Sequence, residues 1–320
     1  MTRLALAACA LAFAALSHAQ QFPVPGRPVR IVVPFPPGGA TDVQARAIAQ
    51  KMSASSGITV IVENKPGGST VIGAREVQKA APDGHTLLYT ITTHVQIPLI
   101  FKTPPFDAFK DFTPITAGGL GGTVLTAHVS VPANTIGELI AFAKANPGKI
   151  NYASFGTGST AHLNGEMLKR AAGIDIVHVP YKGAGDAMKD ILSGQVQLFF
   201  DGVNTAVSNA KTGKVKILAA ATEKRIPLLP GLPTLREQGL AIGIDGFLAF
   251  FGPAGMPPAT VDGVYRELAK AIKTQEIKDL FAGIGYEAAG MPPADFARLV
   301  QDLHERWGAV IRELGIRIDQ

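Results

Sequence analysis

Ile31-Val-Val-Pro-Phe-Pro-Pro-Gly-Gly-Ala-Thr-Asp42 reads as the end of a buried strand, a glycine turn and the start of a helix. The apolar run Val29–Val33 has strand length. It breaks at Pro34, Pro36 and Pro37, then at Gly38 and Gly39. Ala45, Ile48, Ala49 and Met52 follow at the spacing of one helix face. Such a turn aims backbone N–H groups at a helix N-terminus into open space, where the helix dipole favours an anion. Neither Gly-x-x-x-x-Gly-Lys nor Gly-x-Gly-x-x-Gly occurs in this turn, so phosphate and dinucleotide chemistry lose their main support. A carboxylate is the expected guest.

The same alternation continues along the chain and argues for an α/β protein with mostly parallel sheets. Strands are expected at Val29–Val33, Thr59–Val62, Thr86–Thr90, Val124–Ala127, Ile176–Val179, Gln197–Phe200, Val215–Ala220 and Phe247–Phe251. The run Ile150–Ala153 precedes another glycine turn. Helices are expected over 42–54, 70–80, 135–145, 159–171, 184–193, 203–211, 259–273 and 293–314. Thr135-Ile-Gly-Glu138 and Thr234-Leu-Arg-Glu237 both fit the capping box and should each start a helix. Gly194 and Gly213 sit where C-cap glycines belong. Val124–Pro132 and Phe247–Pro253 are apolar strands that end at proline and feed helices. They suit two crossing strands between lobes, with lobe 1 at 20–123 and 247–320 and lobe 2 at 124–246.

Residues 1–19 read as a cleavable export signal. Arg3 supplies the positive start, Leu4–Leu16 an apolar run too short to span a bilayer, and Ser17-His-Ala19 a cleavage site. Leu6-Ala-Ala-Cys9 resembles a lipoprotein box, but the apolar run continues past it. Cys9 is the one cysteine of 320 residues, so an exported mature chain is expected to stand on its core without disulfides. The expected location is the periplasm. The net charge is a modest +5, and with no Lys/Arg run and little aromatic interleaving with basic residues, nucleic-acid binding is not indicated.

Two further turns repeat the opening pattern. Asn64-Lys-Pro-Gly-Gly-Ser-Thr70 is one, and Ser154-Phe-Gly-Thr-Gly-Ser-Thr160 is the other, with hydroxyls and a helix start together. Each alone is an ordinary βα turn. Three of them, from both lobes, point to a site between lobes. Tyr181 and Lys182 follow a strand, and Asp201 ends one at the same sheet edge. Asp42 lies in the first helical turn, where it either complements the dipole or holds the Gly38–Gly39 loop. His94 and His162 flank the polar loops Thr90–Thr93 and Gly156–Thr160. The histidine spacing matches no metal site, Gly158-Ser-Thr-Ala-His162 is not Gly-x-Ser-x-Gly, and no cofactor, metal or catalytic residue is expected.

Set side by side, these landmarks resemble the receptors of tripartite tricarboxylate transporters, the Bug family. The resemblance runs from Phe22 to the C-terminus. It is carried by Arg27-Pro-Val-Arg-Ile-Val-Val-Pro-Phe-Pro-Pro-Gly-Gly39 with Asp42, Glu63-Asn-Lys-Pro-Gly-Gly68 with Gly73, and Ala81-Pro-Asp-Gly-His-Thr-Leu-Leu88. Ala145-Asn-Pro-Gly-Lys149, Asn151-Tyr-Ala-Ser154, Val179-Pro-Tyr-Lys-Gly183, Gly213-Lys-Val-Lys-Ile-Leu-Ala219 and Leu229-Pro-Gly-Leu-Pro-Thr-Leu-Arg-Glu237 continue it.

The resemblance implies a two-lobed, type II periplasmic-binding fold, a Venus flytrap hinged on two crossing strands. It implies a small carboxylated ligand gripped without covalent chemistry, and integral membrane permease subunits as partners of a monomeric receptor. It carries ligand contacts to Phe35, Pro37, Gly38, Gly39 and Asp42 in lobe 1 and to Phe155, Gly156, Thr157, Gly158, Ser159 and Thr160 in lobe 2. Thr92, His94, Lys182 and Asp201 form a second rank. Phe155 and Phe247 depart from the family pattern, where a small residue and a tryptophan are common. Both are bulky and expected near the cleft, which suggests a ligand with an apolar or aromatic body. The rival readings are a sensory receptor for a membrane signalling partner and a hydrolase using Ser159 or His162.

Overall fold

The computed structural model describes residues 22–318. The expected export signal, with Cys9 and its cleavage site, lies outside the described residues. The chain first builds β1 (Val29–Val33), α1 (Ala40–Ser56), β2 (Val60–Asn64), α2 (Val71–Gln78), β3 (Thr86–Ile91), α3 (Thr93–Ile100) and β4 (Phe112–Gly121). A second body follows: β5 (Thr123–His128), α4 (Ile136–Ala145), β6 (Ile150–Ser154), α5 (Thr160–Ala172), β7 (Ile176–Pro180), α6 (Ala184–Leu192), β8 (Leu198–Gly202), α7 (Val203–Ala210) and β9 (Val215–Ala221). The chain then returns to the first body with β10 (Gly246–Pro253), α8 (Pro258–Ile272), α9 (Gln275–Gly283), β11 (Glu287–Ala288) and α10 (Pro293–Leu314).

Two sheets result, ordered β11-β4-β10-β3-β1-β2 and β7-β6-β8-β5-β9. The expected parallel order holds on one side of each sheet only. β2, β1 and β3 are parallel, as are β7, β6 and β8. β10 runs antiparallel to β3 and β4, and β5 runs antiparallel to β8 and β9. The reason is topological. β4 and β10 pair antiparallel at the hinge, and β5 leaves β4 in the direction opposite to the crossover strands.

Gly121 and Gly122 make the outward crossing; Ile226, Leu235, Leu240 and Ile242 still pack on the second body, so the return falls at residues 243–245. Gly121 faces Gly246 across the ladder. A Cβ on Gly122 would lie 2.7 Å from Thr222 Cγ2, so the outward crossing packs against the residue that follows β9. Both faces of the first sheet are apolar, as expected for a sheet covered by helices on each side. Ile31, Val33, Leu248 and Phe250 pack under α1 and α8, while Val32, Phe247, Ala249 and Phe251 pack under α10 with Phe296 and Trp307. Each buried Ile, Val, Leu or Phe among them contributes roughly 1.5–3 kcal/mol. The second sheet buries Tyr152, Phe199 and Phe200.

The Thr135 cap forms as read: its Oγ1 accepts the Glu138 amide at 3.2 Å. At 234 the capping box also closes, with Glu237 N–H on Thr234 Oγ1 at 3.1 Å and Thr234 N–H on Glu237 Oε2 at 2.8 Å. No helix follows it. Gly239, at φ 83°, ends the segment after one turn.

Candidate functional site

Three helices start at one cleft between the sheets. The β1–α1 turn supplies Phe35 through Thr41, the start of α6 supplies Gly183 to Asp186, and the β8–α7 junction supplies Asp201, Gly202, Asn204 and Thr205. Phe155, Ile91, Leu248, Tyr286, Thr123, Gln44 and Lys189 complete the wall. The cavity they enclose is about 380 Å³, the lower end of the range for small-molecule sites.

The β1–α1 turn is braced from below. Gly38 takes φ 77°, a conformation open to glycine. Its N–H donates to Asp42 Oδ2 at 2.9 Å. Arg46 Nε and Asn64 Nδ2 donate to the same carboxylate at 3.0 and 2.9 Å, and Asn64 Nδ2 also reaches the Phe35 carbonyl at 3.0 Å. Asp42 is 3% exposed. Burial pushes its pKa up, but the hydrogen bonds from Arg46, Gly38 and Asn64 outweigh it and hold the carboxyl below its ordinary range. Asp42 therefore holds the loop. Gly39 caps α1 without a side-chain bond, so the first-turn amides of Ala40 and Thr41 open onto the cleft without a partner among the described residues.

The start of α6 is built likewise. Gly183 is its extended N-cap, again without a side-chain cap, and Ala184 and Gly185 follow. A Cβ on Gly183 would stand 3.2 Å from Pro36 Cδ of the opposite lobe. Lys189 Nζ pairs with Asp186 Oδ1 at 3.0 Å on the exposed rim of this wall. The walls between these helix starts are apolar. Phe155 presents its ring with an edge on Phe199, their centroids 6.2 Å apart.

Asp201 lies beneath the floor, fully buried. Its Oδ1 accepts the Gly202 amide at 2.7 Å, and its Oδ2 accepts the Thr205 hydroxyl. Burial pushes its pKa up to about 7 against these two bonds. Tyr286 is pushed up by burial and by the charges of Asp245 and Asp201.

The structure redistributes the remaining expected residues. Phe35, Pro37, Gly38, Gly39, Phe155 and Asp201 are at the cleft, and Asp42 stands directly behind it. Thr92 is a hinge brace: its Oγ1 accepts the Phe247 amide at 2.8 Å. His94 is a core residue, fully buried among Phe106, Phe112 and Phe251, and burial pushes its pKa down to about 3. Phe247 is also core, packed on Phe251 and Phe296, because alternation along β10 turns Leu248 to the cleft instead.

The Gly156–Thr160 loop faces the other lobe rather than the cavity. A Cβ on Gly156 would meet Ser69 Oγ at 2.6 Å. Gly158 N–H donates to His162 Nδ1 at 3.0 Å, Ser159 Oγ caps α5, and Thr160 shares hydrogen bonds with Gln96 of α3. Thr157 lines a separate hollow with Ser69, Arg75 and Phe101. Lys182 is exposed and off the wall.

Sequence reasoning missed Gly183–Asp186 and Gly202–Thr205. The signal was present, since Gly183-Ala-Gly-Asp186 is another strand-to-helix glycine turn. Tyr181 and Lys182 carry the conspicuous side chains of this stretch, whereas Gly183–Gly185 offer only backbone amides. Tyr286 and Thr123 carry no local signal.

Comparison with known proteins fixes the family. Residues 44–316 match the model of the tripartite tricarboxylate transporter family receptor. The chain belongs to this receptor family. A relative from Pseudomonas sp. strain P51, described as a UPF0065 protein in the tcbD–tcbE intergenic region, is 35% identical over 301 residues, covering 92% of this chain and 89% of its own. Among solved structures, the periplasmic binding protein BugD superposes with a TM-score of 0.86 at 32% identity, covering 93% of this chain and 100% of BugD. An R. palustris protein solved with adipate gives 0.87 at 31% identity, covering 92% and 99%. The two-lobed receptor fold is thus shared across nearly the whole chain.

Proposed function

We propose that this receptor captures a small carboxylate-bearing molecule in the periplasm and delivers it to the permease subunits of a tripartite tricarboxylate-type transporter. The observation that carries this reading is the pair of uncapped helix starts, Gly39–Thr41 and Gly183–Gly185, on opposite walls of one cleft. Each offers free N–H groups and a positive dipole end, and a hydrogen bond to a charged group contributes roughly 1.5–3 kcal/mol net. The apolar walls suit an apolar or aromatic body, with Phe155 against it. The solved relative with adipate is consistent with carboxylate binding.

Both lobes donate to one guest, so the closed form gains more than the open form and ligand shifts the population toward closure. The permease then meets the closed shape. A non-enzymatic role is supported by where the hydroxyls are. Ser159 is consumed as a cap, and Ser154, 2.7 Å from His178 Nε2, is fully buried. Among the described residues no helix is long and apolar enough to cross a membrane.

The test is a thermal-shift screen of residues 20–320 against mono-, di- and tricarboxylates, aromatic acids and amino acids. A binding acid at a hundredfold excess over its Kd stabilises by about 2.7 kcal/mol. Recovery of that acid unchanged supports a receptor. Turnover of the acid, or stabilisation by uncharged molecules alone, overturns the reading.

A further inference from the structure

Below the β1–α1 turn, the lobe 1 wall of the cleft runs over Gln44, Ile91, Leu248 and Tyr286. Gln44 lies on the face of α1 that carries Ala40, one turn further along the helix. It is 3% exposed, so the amide belongs to the wall and not to bulk solvent.

The protein uses one end of that amide. Tyr89, fully buried, donates its hydroxyl to Gln44 Oε1 at 3.2 Å. Burial holds the Tyr89 phenol well above its ordinary pKa, so the proton stays on it. Turned the other way, the amide would give an N–H to Tyr89 and strand that buried proton, which has no other acceptor among the described residues. The bond therefore fixes Oε1 on Tyr89 and leaves Nε2 for the cleft that Gln44 lines. Nε2 has no protein acceptor among the described residues and is not sealed from the cavity.

A donor fixed in this way selects among guests. When a ligand fills the cleft and water leaves, an apolar surface against Nε2 strands its N–H groups, whereas an oxygen accepts from them. Other polar groups on the wall are not fixed. The Tyr286 hydroxyl rotates and can give or take a hydrogen bond, and the Asn204 amide has no protein partner among the described residues to orient it.

Resting on the carboxylate reading, we propose that Gln44 is a specificity-determining residue: its Nε2 donates to an oxygen on the body of the ligand, so the receptor takes oxygen-substituted acids over their hydrocarbon counterparts, with Tyr89 as the residue that positions the amide. The carboxylate sits at the α1 and α6 starts. The second oxygen sits deeper by about one turn of α1, roughly 6 Å along its axis.

Isothermal titration with matched pairs of acids tests this: 5-oxohexanoate and 5-methylhexanoate, 6-hydroxyhexanoate and heptanoate, 4-hydroxybenzoate and 4-methylbenzoate. In the pair that fits, the oxygen-bearing acid should bind about tenfold or more tighter, the scale of a hydrogen bond made against a donor left stranded. Gln44→Leu should erase that advantage while the hydrocarbon acid binds as well as before or better. Tyr89→Phe frees the amide to turn and should remove most of the advantage with little change for the hydrocarbon acid. The double variant removes both partners, leaves no buried group orphaned, and covers the case in which a single variant folds poorly. Equal binding within every pair in wild type overturns the proposal and leaves the carboxylate receptor standing. An oxygen preference untouched in Gln44→Leu and in the double variant overturns the assignment to Gln44. A preference lost in Gln44→Leu but intact in Tyr89→Phe overturns the role of Tyr89. Absence of binding by all six acids and throughout the wider screen overturns the proposal together with the reading beneath it.

Discussion

Asp42 takes hydrogen bonds from Gly38, Arg46 and Asn64 at the foot of the α1 turn. Asp42→Ala leaves those donors without their acceptor, and the expected loss of stability is about 1–3 kcal/mol, with weaker carboxylate binding as the turn loosens. Denaturant midpoints and titration of the screened acid check both effects. Because its folded pKa lies below the unfolded value, the stability from Asp42 is present above the ordinary carboxylate range and is lost as pH falls through the folded pKa.

His94 acts at higher pH with the same direction. The folded protein keeps it neutral down to about pH 3, while the unfolded chain protonates it near 6.5. Stability should therefore fall between pH 6.5 and 3, by at most about 1.4 kcal/mol per pH unit from this one residue. His94→Leu should flatten that part of the stability–pH curve, measured by chemical denaturation at pH 4 to 7. The sequence shows why His94 misled: it follows a polar run, Thr90–Thr93, that resembles a cleft loop. In the fold Thr92 faces the hinge and His94 turns into a cage of phenylalanines.

At the scale of elements, strands and helices with a clean period were legible to within a few residues, as β1, α1, α5 and α10 show. β4 and α3 were not. β4 contains Pro114, Gly118 and Gly119, which read as breaks. The fold uses them because the Phe281 ring fills the space of a Cβ on Gly119, and Tyr89 crowds Gly118 at 3.3 Å. α3 is buried along most of its length and holds Pro98, so no amphipathic stripe marks it.

The β1–α1 turn, proposed to hold the carboxylate, was legible as a pattern of local chemistry. Its partner at α6 depended on which loops the tertiary fold brings together, and the Gly156–Thr160 loop was drawn instead to the lobe contact. Gly156→Ala is the element-scale test. Its φ of 127° and the 2.6 Å approach to Ser69 Oγ should cost about 1–3 kcal/mol. Thermal unfolding checks this loss. The cleft residues themselves are untouched, so a large change of ligand class in this variant would argue that the loop belongs to the site.

For the whole molecule, the proposed capture makes ligand binding and closure one equilibrium. The lobes meet at Gly183 against Pro36, Gly156 against Ser69, and Thr160 with Gln96. A guest that joins the α1 and α6 starts adds to these contacts only when the lobes are together, so small-angle scattering should report a smaller radius of gyration with a bound acid than without. The most direct measurement is a co-crystal structure with the first acid that stabilises the protein. Its carboxylate should lie within hydrogen-bond distance of the amides of Ala40 or Thr41 on one side and Ala184 or Gly185 on the other. A carboxylate seated instead on the Gly156–Thr160 loop, or held by one lobe alone in a closed molecule, would contradict this assignment of the site.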